Sequence, residues 1–162
     1  MKQLLLVSCL LSLSAILGLP EVKADVRMPL IFGNHMVLQQ DTRITIWGWA
    51  DAGENIEVLF AGQKVRTTAN ADGTWQVKLK PVKTKKKGET LTITGKNKLV
   101  YSDVLVGDVW VASGQSNMEW GIKVRKEYAD DIAHSEDSLL RLFFVPKNTS
   151  LQPLSEIEIP QG

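Results

Sequence analysis

The chain has 162 residues, 44% of them hydrophobic and 23% charged, with 19 basic against 18 acidic side chains. That balance excludes a disordered polyelectrolyte and a nucleic-acid binder recruited by bulk charge, and the length allows one domain or a small domain plus part of another. Cys9 is the only cysteine, so neither a disulfide framework nor a cysteine-ligated metal is expected.

Residues 1–24 read as a targeting segment rather than as part of the fold. Lys2 precedes an apolar run from Leu4 to Leu19, and Val22-Lys23-Ala24 offers small residues for a signal peptidase, which predicts cleavage before Asp25 and a secreted or periplasmic protein. The alternative is an uncleaved anchor, but Ser8, Ser12, Ser14 and Gly18 interrupt the run and it is short for a span. Lipid attachment at Cys9 would leave almost no apolar stretch before the cysteine. Cleavage removes two lysines and one glutamate, leaving 17 basic and 17 acidic residues. Neither nucleic acid nor a membrane is therefore expected as a partner of the mature chain.

From Asp25 the pattern is short alternating runs closed by turn residues. Thr42 to Ala50 puts Ile44 and Ile46 on one face and Arg43, Thr45, Trp47 and Trp49 on the other, and Asp51-Ala52-Gly53-Glu54 turns the chain. Asn55 to Phe60 aligns Ile56, Val58 and Phe60. After Ala61-Gly62, the stretch Gln63 to Ala69 aligns Val65, Thr67 and Ala69. Asn70-Ala71-Asp72-Gly73 is a hairpin signal, and Thr74 to Lys80 points Trp75, Val77 and Leu79 inward. The basic cluster Lys83 to Lys87 reads as a solvated hairpin tip. Glu89 to Thr94 and Lys98 to Val106 follow, separated by Gly95-Lys96-Asn97. Six or seven short strands with turns at this spacing predict an antiparallel β-sandwich over residues 25–105.

Beyond Val106 the pattern changes. Val109-Trp110-Val111-Ala112 is apolar on both faces, as in a strand buried in a parallel sheet. Val124, Tyr128 and Ile132 recur every four residues, which predicts a helix from about Lys123 to His134. Leu139 to Val145 reads as a second apolar strand. Residues 106–162 thus have the form of the first βαβ portion of an α/β domain, incomplete at Gly162, with prolines 146, 153 and 160 in a tail without period.

Between the first of these strands and the helix lies Ser113-Gly114-Gln115-Ser116-Asn117. A serine on a sharp strand-to-helix turn has its hydroxyl clear of the strand, with backbone N–H groups aimed at whatever is attached to it, so the layout suits nucleophilic attack on an acyl group. A plain polar connection is the alternative.

The stretch Gly107-Asp108-Val109-Trp110-Val111-Ala112-Ser113-Gly114-Gln115-Ser116-Asn117-Met118-Glu119-Trp120 resembles the nucleophile block of the sialate O-acetylesterase family, a branch of the SGNH (GDSL-type) hydrolases. Leu30 to Gln40, Trp47-Gly48-Trp49-Ala50 and Asp72-Gly73-Thr74-Trp75 extend the similarity upstream. The resemblance implies a flavodoxin-like SGNH domain beginning near residue 106. It implies a secreted carbohydrate esterase whose substrate is O-acetylated sialic acid or another acetylated glycan, with no cofactor and no metal. It makes Ser116 the nucleophile and its backbone N–H part of the oxyanion hole, with Gly114, Gln115 and Asn117 in support and Glu119 and Trp120 as pocket or packing residues. Asn117 is expected to cap the following helix or tie the turn to neighbouring loops. Ser113, at the strand end, is the competing serine and is read as structural.

A serine hydroxyl needs a histidine base and a group that orients it. In that family both stand in a late Asp-x-x-His block near the end of the catalytic domain, which the resemblance places beyond residue 162. His35 reads as a turn residue and His134 as a residue at a helix C-terminus, while Asp130, Asp131, Glu136 and Asp137 read as a solvated helix end. The chain by itself is therefore expected to be inactive. The alternative is a non-catalytic module, in which Trp47 and Trp49 either stack on a glycan or pack as part of a scaffold. Asn148-Thr149-Ser150 fits a glycosylation sequon. Nothing in the sequence indicates an oligomeric state.

Overall fold

The computed structural model describes residues 25–121 and 126–157. The expected signal segment, residues 1–24, lies outside them.

Seven strands are formed: β1 (Val37–Gln39), β2 (Ile44–Trp49), β3 (Asn55–Phe60), β4 (Gln63–Thr68), β5 (Thr74–Leu79), β6 (Lys85–Thr94) and β7 (Lys98–Gly107). They make a five-stranded sheet in the order β1-β7-β6-β3-β4 and a two-stranded sheet, β2-β5. The period-two alternation is physically realised in both. Ile44 and Ile46 of β2 and Trp75, Val77 and Leu79 of β5 are buried with Ile56, Val58 and Phe60 of β3, Leu91 and Ile93 of β6, and Val104 and Val106 of β7, in one cluster. Each fully buried side chain of this kind contributes about 1.5–3 kcal/mol over its exposed state.

The turns follow their chemistry. Gly53, Gly62 and Gly73 take positive φ where the chain reverses. Asp72 accepts hydrogen bonds from both the N–H and the hydroxyl of Thr74, at 2.9 and 2.7 Å. These bonds, the hydroxyl first, hold its carboxyl below the usual aspartate range. Glu54 is buried yet well served. Its carboxylate accepts the Lys96 N–H at 2.6 Å and the Asp51 N–H at 3.2 Å, tying the β2–β3 turn to the β6–β7 turn.

Two details differ from the sequence reading. The sheet is not wholly antiparallel: β1, which has no alternation of its own, runs parallel to β7, with Val37, Leu38 and Gln39 opposite Leu105, Val106 and Gly107. A parallel partner requires a long crossover, which here is the whole run from β2 to β6. The lysine cluster is not a hairpin tip either. Lys85-Lys86-Lys87 begins β6, with Lys85 opposite Val106 and all three side chains exposed. A strand tolerates such charges when β7 completes its backbone bonds and the side chains stay in water.

The β6–β7 ladder shifts register between Lys85 and Glu89 and again before Leu91. Here Asp103 takes φ 51° and faces Gly88, where a Cβ would lie 2.7 Å from the Asp103 Cα. The irregularity needs glycine at position 88 because the Asp103 backbone, as well as its carboxylate, fills the space.

The largest departure lies beyond Gly107. Val109–Ala112 and Leu139–Val145, expected as buried strands, have no regular structure, and Trp110, Val111 and Leu142 are 88%, 91% and 90% exposed. A strand of a parallel sheet exists only beside partners that complete its backbone bonds and cover both faces. No such partners stand beside these runs among the described residues. Of the expected helix, residues 122–125 lie outside the description. The rest is a short 3-10 helix, Lys126–Tyr128, followed by α1 (Ala129–Ala133), which has no buried residue. Without a surface to receive its apolar stripe, so short a helix gains little from packing.

Candidate active site

β7 delivers the chain to Gly107, and six residues without regular structure lead to Gly114. Ser116–Glu119 then forms a single 3-10 turn that begins after Gln115. The Met118 N–H donates to the Gln115 carbonyl at 2.9 Å and the Trp120 N–H to the Asn117 carbonyl at 3.4 Å. Gly114 permits this tight reversal, since a Cβ there would come within 2.6 Å of the Met118 side chain.

Ser116 is an exposed residue at the start of this turn. Gly114, Gln115 and Asn117 surround it in sequence and are likewise exposed. The turn has no side-chain cap. Asn117 lies inside the turn and its carbonyl accepts the Trp120 N–H; the start of the helix it was expected to cap lies outside the described residues. Trp120 is 65% exposed and so is not part of the core, and Glu119 ends the turn. Ser113, the competing serine, is exposed in the segment before it.

The two histidines are engaged elsewhere. His134 Nδ1 lies 2.7 Å from the Asp130 carbonyl at the end of α1. His35, at φ 63°, places its Nδ1 2.7 Å from Asp103 Oδ2. The same carboxylate oxygen accepts from the Arg141 guanidinium at 2.9 Å. His35 first, and Arg141 after it, hold the Asp103 carboxyl below its ordinary range.

Residues that sequence reasoning left without a role supply the architecture around the turn. Gln39 and Gln40, at the end of β1, bond to Val109 and Asp108. Asp103 and Arg141 connect the β region to the run at 139–145. The signals were present as a repeated glutamine inside the resemblance block and as a lone arginine in an apolar run.

The aromatic face of β2 lies on the opposite side of that strand from the core. Trp47 meets Phe32 and Trp49 edge-on, at centroid distances of 6.0 and 5.7 Å. The Arg27 guanidinium covers the Trp49 ring at 4.0 Å and is held by Glu156 at 2.7 Å. Trp47 lines an open cleft of about 350 Å³ together with Val145, Pro146, Leu154 and Ile157.

Comparison with known proteins then places the chain. No family model matches it. It is 34% identical to the sialate O-acetylesterase of Rattus norvegicus over 141 residues, which takes in 77% of the chain and 25% of the relative. The Mus musculus sialate O-acetylesterase is 32% identical over 141 residues, 78% of the chain and 26% of the relative. The chain belongs to the sialate O-acetylesterase family. Among solved structures, a carbohydrate acetylesterase from Xanthomonas citri superposes with a TM-score of 0.77 at 36% identity, covering 82% of the chain and 31% of that protein. The chain thus spans about a quarter of the length of the curated sialate O-acetylesterases it matches.

Proposed function

We propose that this chain forms part of a secreted carbohydrate esterase that removes O-acetyl groups from sialic acid or another acetylated sugar, with Ser116 as the nucleophile. The observation that carries this reading is the exposed serine on a tight turn in the segment that follows β7, in a chain related to acetylesterases. In the proposed reaction Ser116 Oγ attacks the acetyl carbonyl while a base takes its proton. The sugar hydroxyl leaves with a proton returned by that base, and water then releases acetate from the acetyl-serine. The Ser116 N–H is the local donor for the oxyanion. No cofactor or metal enters this scheme.

His35 and His134 are each hydrogen-bonded away from the turn, so the proposal takes the base from outside residues 25–157. In architectural terms the two sheets form a β-sandwich module, and residues from 106 onward begin an SGNH hydrolase domain. Residues 1–24 direct export and are removed, which amino-terminal sequencing of the exported protein reads directly.

Acetate release from O-acetylated sialic acid and from acetylated plant polysaccharide tests the reading. A protein of the relatives' length carrying this sequence should lose turnover in Ser116→Ala and keep it in Ser113→Ala; the reverse pattern overturns the assignment. Residues 25–162 alone should show no turnover. Ser116-dependent turnover by that piece would show that the base lies within it.

The second reading concerns the β region. Trp49 lies beneath Arg27, and Trp47 is held between Phe32 and Trp49, which favours a packing scaffold over an open glycan platform. Retention of sialylated or plant-type glycans on an array, lost in Trp47→Ala, would reverse that preference.

A further inference from the structure

We infer that Gln39 and Gln40 are positioning residues that fix the direction in which the nucleophile block leaves the sheet, an inference that rests on reading Ser116 as the nucleophile. β1 and β7 run parallel with Gln39 opposite Gly107, so the end of β1 lies beside the point where β7 stops. Three consecutive residues of the departing chain are then held. The Gln40 N–H donates to the Gly107 carbonyl at 2.9 Å. The Gln40 side chain donates from Nε2 to Asp108 Oδ1 at 3.1 Å. Gln39 Oε1 accepts the Val109 N–H at 2.8 Å.

Each amide is also anchored at its other end. Gln39 Nε2 donates to the Gln40 carbonyl and Gln40 Oε1 accepts the Thr84 N–H, both at 3.3 Å. Two partners therefore determine which way each amide faces, so a carboxylate has different consequences at the two positions. At position 39 the group facing the exit is an acceptor, which glutamate keeps. At position 40 it is a donor, and glutamate would set a second carboxylate against Asp108.

Geometry makes this joint consequential. The serine lies seven residues beyond Val109, and an extended chain of that length spans up to ~25 Å. A small rotation at the exit is multiplied over such a lever, whereas a displacement of about 1 Å at a reacting atom already costs about a hundredfold in rate. Residues 110–114 have no regular structure of their own, so the bonds on residues 107–109 are the ones that hold the start of this segment.

The test reads position rather than activity. In the full chain with Cys9→Ser, nitroxide labels are placed on Ser116→Cys and Arg66→Cys, and the distance distribution between them is measured by pulsed electron paramagnetic resonance. The parent should give one narrow distribution. Gln39→Ala and Gln40→Ala should widen it at least twofold; Gln39→Glu should restore the narrow form, and Gln40→Glu should not. Val58 and Ile93 amide exchange, read in parallel, should stay unchanged. A broad parent distribution, unchanged widths in the alanine variants, equal behaviour of the two glutamate variants, or core exchange rising in step would each overturn the inference. Acetate release judges the chemistry of Ser116 separately, so failure of one reading is not mistaken for failure of the other.

Discussion

Residues 25–107 and residues 108–157 are both rich in apolar side chains, yet they meet opposite fates. In the first region Phe60, Val58, Leu91 and Ile93 are fully buried, and β2, β3, β5, β6 and β7 each contribute buried side chains to one core. In the second, Trp110, Val111, Leu142 and Phe144 are largely exposed, and α1 buries none of its residues. The difference teaches that apolar content does not make a strand. A strand needs neighbours that complete its backbone bonds and cover its faces. The β region supplies those to itself, while the second region is held to it at three named joints: Gln39 and Gln40 on residues 108–109, Asp103 on Arg141, and Arg27 on Glu156.

The sharpest separation of the two regions is chemical. In an active esterase carrying this chain, Ser116→Ala should lower acetyl-ester turnover by about 10⁴-fold or more while the urea midpoint of the β region stays put. Loss of both together would make Ser116 a structural residue. Next in size, Phe60→Ala should cost about 3–5 kcal/mol in urea unfolding, because a large side chain leaves the centre of the core. A cost below about 1 kcal/mol would mean that the core is looser than its burial indicates.

Gly88→Ala should cost about 1–3 kcal/mol, since the new Cβ meets the Asp103 backbone. Unchanged stability would show that the β6–β7 irregularity can open without penalty.

Asp103 tests the joint to the second region through pH. Its carboxyl is held below the ordinary aspartate value of 3.8 by His35 and Arg141. A folded value below the unfolded one contributes stability that is present above 3.8 and lost as pH falls from there through the lowered folded value. Asp103→Asn should therefore lower the urea midpoint near pH 7 and flatten the acid limb below pH 4, so that variant and parent converge as the pH falls. The smallest effect is expected from Phe144→Ser, within about 0.5 kcal/mol, because the ring is exposed. A loss of several kcal/mol would show that the second region packs in solution and would erase the contrast between the two regions.

Much of the β region was legible because its signals are local. Alternation in Thr74 to Leu79 and in Asn55 to Phe60 names the buried face directly, and Asp72-Gly73 names its turn. The turn carrying Ser116 was legible for the same reason, since Gly114 and the residues around it set the reversal without distant help. The runs at 109–112 and 139–145 misled because an apolar run reports a preference for burial and says nothing of whether a partner stands beside it. Arg141 was hidden because its significance is Asp103, 38 residues away.

The sequence by itself determined which residues alternate, where the chain turns and which serine stands on the tight turn, all consequences of side-chain period and backbone preference over a few residues. Only the tertiary structure decided that β1 lies parallel to β7, that Gln39 and Gln40 thereby grip the chain leaving β7, and that His35 and Arg141 share one carboxylate. Those are pairings between residues 38 to 70 positions apart. Their stability depends on the core that brings the strands together, and no local pattern encodes it.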